Sequence, residues 1–234
     1  VAGTRIKPNV YYLLDNSGSM DWCVNGHTSN CSGKSTSRWN ILLSALNSQA
    51  TSLSTQFNVG AAYFPSNSIS AKECIDLKAD TVFSNFNACN VYPGGGTPTG
   101  PALNLVRTNQ WYKFTPDSLD SSRGKTVVVV TDGDPDDLNA AKTAATTLKN
   151  AGVPVYFIGF SGLNSTNMTA LAVAGGTTNW YEVNDSASII SALNAISASM
   201  IPCTVSVPLT GGNDDPTRMQ VSIDDEGTLH AVAP

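Results

Sequence analysis

Asp15, Ser17 and Ser19 stand at alternate positions directly after the apolar run Val10-Tyr11-Tyr12-Leu13-Leu14. A buried strand ending this way offers a carboxylate and two hydroxyls that can converge on one point. Oxygen-only donors at one point suit a hard divalent cation such as Mg²⁺ or Ca²⁺. Two further segments carry compatible chemistry: Gly94-Gly95-Gly96-Thr97-Pro98-Thr99, and Thr131-Asp132-Gly133-Asp134 after the valine run 127–130. Each segment alone has a plainer reading. Ser17 and Ser19 could cap the next helix, Thr97 could be an N-cap before proline, and Asp132-Gly133 could be only a turn.

The elements that would position these residues alternate in kind. Strand patterns fall at Asn9–Leu14, Phe57–Phe64, Thr126–Thr131, Val153–Gly159 and Asn179–Val183, with a possible short edge strand at Thr81–Phe83. The four consecutive valines fit a central strand buried on both faces. Helical spacing marks Ser37–Gln56, with Leu42, Leu46, Ala50 and Leu53 on one face, then Thr99–Arg107. Asp134-Pro135 reads as an N-cap and first helical residue of a helix running to Asn150. Asp134, Asp136 and Asp137 are read as first-turn acids rather than ligands. Thr166–Ala174 and a last helix capped by Asp185 complete the set. The alternation predicts an α/β fold: a Rossmann-like, doubly wound, mostly parallel sheet flanked by helices. Ligands of such sheets bind at the strands' carboxyl ends, near a switch point, where Asp15 and Asp132 both fall.

Residues 1–201 are expected to form this domain. From Pro202 the pattern becomes strand-like without helices (Thr204–Val207, Met219–Ile223, Thr228–Val232), which predicts a small C-terminal β appendage over 202–234.

The three segments, in this order on this pattern, resemble the von Willebrand factor A (vWA) domain and its metal-ion-dependent adhesion site, whose pattern is D-x-S-x-S, a Thr in a central loop, and the Asp of a T-D-G turn. The match falls on Asp15, Ser17, Ser19, Thr97 and Asp132 and covers about residues 7 to 201. The resemblance implies that these five residues hold a divalent metal: Mg²⁺ foremost, with Ca²⁺ and Mn²⁺ as alternatives. It implies a protein or extracellular-matrix partner at the cell surface, offering an acidic side chain to the metal. The physics agrees: such a shell leaves a position open, and two carboxylates roughly balance the ion, so an added carboxylate is still attracted. The chain is most similar to vWA regions of bacterial cell-surface and pilus-associated proteins, which gives an adhesin as the leading expectation. An intracellular vWA scaffold of a larger complex is the alternative.

Composition narrows the rest. A net charge of −5 with only 13 scattered Lys and Arg leaves no basic stripe for nucleic acid or an anionic membrane surface. No apolar run approaches a membrane span. The chain starts at Val1 without a basic leader, so a segment of a longer protein is expected. Cys23 and Cys31, and Cys74 and Cys89, bracket irregular loops without zinc-knuckle spacing, which reads as two local disulfides in an oxidising, extracellular setting; free thiols in a cytosolic protein are the alternative. Cys203 is left over.

Catalytic readings do worse, and no enzymatic activity is expected. A metal-dependent hydrolase would lack a base, because His27 lies in the cysteine loop and His230 in the appendage. Gly159-Phe160-Ser161-Gly162-Leu163 lacks the final glycine of a nucleophile elbow, and Gly33-Lys34-Ser35 lacks a preceding strand. Against the family pattern that it resembles, the chain inserts Asp21–Lys34 directly after the D-x-S-x-S; Trp22 and His27 are its candidates for ligand contact, and a loop that only shields the sheet edge is the alternative.

Overall fold

A computed structural model describes residues 6–24, 31, 34–66 and 70–200, and in the tail the strands 221–225 and 228–232. Its centre is a six-stranded sheet of β1 (Asn9–Asp15), β2 (Asn58–Phe64), β3 (Lys72–Ile75), β4 (Lys125–Thr131), β5 (Val155–Phe160) and β6 (Tyr181–Val183). The spatial order is β3-β2-β1-β4-β5-β6, and every pairing is parallel except that of β3 with β2. This is the doubly wound order, and its switch point lies between β1 and β4.

Alternation along the central strands assigns side chains to two cores. Val10, Tyr12 and Leu14 of β1 and Val128 and Val130 of β4 face one layer, which holds α1 (Arg38–Gln56) and α5 (Ser186–Met200). Tyr11, Leu13, Val127 and Val129 face the other, which holds α2 (Thr99–Thr108), α3 (Leu138–Asn150) and α4 (Ser165–Gly175). Burial on both faces explains why β1 and β4 read as continuous apolar runs.

Three local expectations are corrected. Thr81–Phe83 is not a strand; Val82 is 61% exposed, and the edge position is taken by Lys72–Ile75, whose mixed polar and apolar side chains suit an edge and which the Cys74–Cys89 disulfide ties back. Asp134 and Pro135 do not start α3. Asp137 is its N-cap, accepting from the Ala140 amide at 2.9 Å, because Asp136 is engaged elsewhere. The last strand begins at Tyr181 rather than Asn179.

In the tail, β7 (Val221–Asp225) and β8 (Thr228–Val232) pair antiparallel, with Asp225 opposite Thr228. Of the turn expected at Asp225-Glu226-Gly227, Glu226 and Gly227 fall outside the described residues. The strand expected at Thr204–Val207 and the left-over Cys203 lie outside the described residues.

Candidate functional site

β1 and β4 are neighbours, so their carboxyl ends deliver Asp15 and Asp132 to adjacent points across the switch. Asp15 is the last residue of β1 and Asp132 the first after β4. The loop after β1 turns into a short 3-10 helix, Gly18–Asp21, with Ser17 in its N-cap position but making no side-chain cap. The hydroxyls are therefore available to the site. The cap of α1 is Ser37 instead, accepting from the Asn40 amide at 3.3 Å.

The polar groups converge closely. Ser19 Oγ donates to Asp132 Oδ1 at 2.8 Å, Ser17 Oγ lies 3.5 Å from the same oxygen, and the two serine oxygens are 3.2 Å apart. Asp15 Oδ1 accepts from the Ser17 amide at 2.8 Å, and its Oδ2 from Thr131 Oγ1 at 2.6 Å. Asp15 is fully buried, and the side chain of Asp132 is 0% exposed.

The glycine loop is stitched to this edge by its backbone. The Gly94 amide donates to Asn16 O at 2.8 Å and the Gly18 amide to Gly95 O at 3.1 Å. Gly95 adopts φ +89°, a left-handed conformation that glycine tolerates. Thr97 lies against Gly133, where a Cβ would come within 3.0 Å of Thr97 Oγ1. Thr97 does not cap α2, whose N-cap position is Pro98. It is held by Asp136, whose Oδ1 accepts from the Thr97 amide at 2.9 Å and whose own amide donates to Thr97 O at 3.0 Å. The acid read from sequence as a helix-dipole residue is thus a loop clamp. Asp134 takes no place in the cluster; Asn167 Nδ2 donates to it at 3.3 Å.

Burial, and next the charge of Asp132, push the carboxyl of Asp15 up to about 7, against the Thr131 and Ser17 hydrogen bonds that favour its anion. Two buried carboxylates side by side call for positive charge. Among the described residues the cation is Arg38, whose Nη1 donates to Asp132 Oδ2 at 2.5 Å, with its side chain only 3% exposed. The remaining donors (Asp15, Ser17, Ser19, Asp132 Oδ1 and Thr97) are all oxygens, which fits a hard divalent ion.

Arg38, Thr131 and Asp136 were not recognised as site residues from the sequence. Arg38 reaches the cluster because the inserted segment returns to its own start. The Arg38 amide donates to Trp22 O at 3.0 Å, Cys23 pairs with Ser37 in an antiparallel bridge, and Cys23 is bonded to Cys31. No motif announces an arginine 23 positions past Asp15. Trp22 is half-buried beside this base, and His27 lies outside the described residues.

The sheet order and the three-segment cluster define a class, and comparison with known proteins gives it a name. The von Willebrand factor type A domain matches residues 9–195, so the chain belongs to this family of protein-interaction modules. Among solved structures it is similar to mussel-byssus proximal thread matrix protein 1 with zinc in its MIDAS motif (18% identity, 83% of this chain and 48% of that one, TM-score 0.56). It is also similar to manganese-loaded TRAP of Plasmodium vivax (19%, 80% and 72%, TM-score 0.56). The conserved hypothetical protein BatB of Bacteroides thetaiotaomicron matches at 21% identity over 82% and 98% of the two chains, with TM-score 0.60. At these identities the likeness shows the fold, and the chain spans about half the length of the mussel protein. No curated protein matches the chain.

Proposed function

We propose that this chain is an extracellular adhesion or protein-binding module that engages an acidic side chain of its partner through a divalent metal, Mg²⁺ foremost, held by Asp15, Ser17, Ser19, Thr97 and Asp132. The observation that carries the reading is the buried Asp15–Asp132 pair at the switch point, with both serine hydroxyls within 3.5 Å of Asp132 Oδ1. When bound, the metal supplies a Lewis-acidic position open to a ligand oxygen. The chain's own groups do the rest: Thr131 and the Ser17 amide orient Asp15, and Asp136 fixes the Thr97 loop.

An extracellular setting is supported by the disulfides Cys23–Cys31 and Cys74–Cys89, which the reducing cytosol disfavours. None of the described helices is long and apolar enough to cross a membrane. Residues 1–201 are proposed as the binding domain and 202–234 as an appendage. The inserted loop, with Trp22 and His27, is proposed to shape partner choice. Pull-down from matrix and cell-surface preparations, with and without chelator, tests the reading: capture should require the divalent ion and should weaken when residues 24–30 are deleted. Capture indifferent to chelator would overturn the metal route. Free thiols at Cys23 and Cys31 in the native protein would instead favour an intracellular scaffold.

A further inference from the structure

Arg38 is the one residue of the cluster whose charge opposes the proposed cation. It comes from the first turn of α1, is 3% exposed, and holds Asp132 Oδ2 at 2.5 Å, the oxygen opposite the one that meets Ser17 and Ser19. Its Nε is buried without a hydrogen-bond partner among the described residues. A buried guanidinium left partly unsatisfied is costly, and its main compensation here is the Asp132 carboxylate, so it contributes directly to the charge of the site. Asp21, in the short helix after Ser17, accepts from Tyr92 Oη at 2.8 Å.

Formal charges on Asp15, Asp132 and Arg38 sum to one net negative charge for the side chains by themselves and to one net positive charge with a divalent ion added. The near-balance inferred from two carboxylates alone is therefore corrected. Two cations sharing the Asp132 carboxylate repel one another, strongly so in a water-poor setting. An anionic ligand oxygen relieves that repulsion.

We propose, building on the metal-binding reading, that Arg38 is a resident counter-cation: paired with Asp132, it weakens divalent-metal binding, so that the metal is firmly retained only when an acidic ligand oxygen joins the shell. Metal and acidic ligand then bind with positive coupling, each raising the affinity of the other. A mere orienting role makes the opposite forecast, because removing an outer-shell partner of a metal ligand normally weakens binding.

The test titrates Mn²⁺ into the protein and follows loss of the free-ion EPR signal for wild type, R38Q and R38M. Arg38→Gln keeps an amide donor and removes the charge; it should bind Mn²⁺ about tenfold more tightly. Unchanged or weaker binding by folded R38Q overturns the inference while leaving the metal reading intact. Wild type and R38Q both failing to bind Mn²⁺ overturns both. A second arm needs no variant: replacing chloride by acetate at constant ionic strength should tighten Mn²⁺ binding to the wild-type protein several-fold. Equal affinity in the two salts also overturns the inference.

Discussion

The two ends of β1 are both polar and both buried, yet they are built on different rules. At the amino end, neutral amides satisfy one another: Asn58 Nδ2 donates to Asn9 Oδ1 at 2.9 Å, Asn9 Nδ2 to Tyr112 O at 3.2 Å, and the Asp80 amide to Asn58 Oδ1 at 3.0 Å. At the carboxyl end, two carboxylates and a guanidinium crowd together, Asp15 is pushed up to about 7, and Arg38 Nε is unpartnered among the described residues. A closed neutral network fixes structure; a charged and incomplete one costs stability and leaves chemistry to be completed by something else.

The sharpest way to break this contrast is Asp15→Ala. It should lower Mg²⁺ or Mn²⁺ affinity by roughly a hundredfold or more, since a direct ligand outweighs the 10–100-fold effect of outer-shell partners. Calorimetry measures this, and the metal-free fold should persist because a buried carboxylate of raised pKa is removed. Asn9→Ala should do the reverse, costing about 2 kcal/mol in denaturant unfolding by removing the buried acceptor of one Asn58 N–H and the donor to Tyr112 O, with metal affinity unchanged. If N9A weakened metal binding as much as D15A, the two ends would not be separable.

Thr131→Val sharpens the comparison within the carboxyl end. It removes the 2.6 Å bond to Asp15 while preserving shape, and a few-fold weaker metal affinity is expected, smaller than for D15A. The smallest effect lies away from both ends. The hydrogen bonds from Ser188 hold the Asp185 carboxyl below its usual value, so its contribution to stability is present above the unfolded pKa and lost as pH falls through the folded one. Asp185→Asn should flatten a slight loss of stability below about pH 4, read from thermal unfolding across pH.

How much of this could be read in the sequence follows the same division. The two-sided apolar runs of β1 and β4 announced a doubly wound sheet, and the hydroxyl and carboxylate spacing announced which edge carries the chemistry. The edge strand did not announce itself, since Lys72-Glu73-Cys74-Ile75 has no β-branched run and is held by a disulfide. Asp136 was misread because sequence supplies helix-capping rules but not the loop that its carboxylate clamps. Arg38 was invisible because its place depends on how the insertion after Asp21 closes on itself through Cys23 and Ser37. Long-range closure, unlike periodicity, leaves no local mark.

The central claim is that a divalent ion belongs between β1 and β4, and a crystal of this domain soaked in Mn²⁺ together with acetate addresses it directly. The account predicts one strong anomalous peak enclosed by the oxygens of Ser17, Ser19 and Asp132, with Asp15 and Thr97 adjacent. A peak elsewhere, or none while Arg38 remains on Asp132, would contradict it.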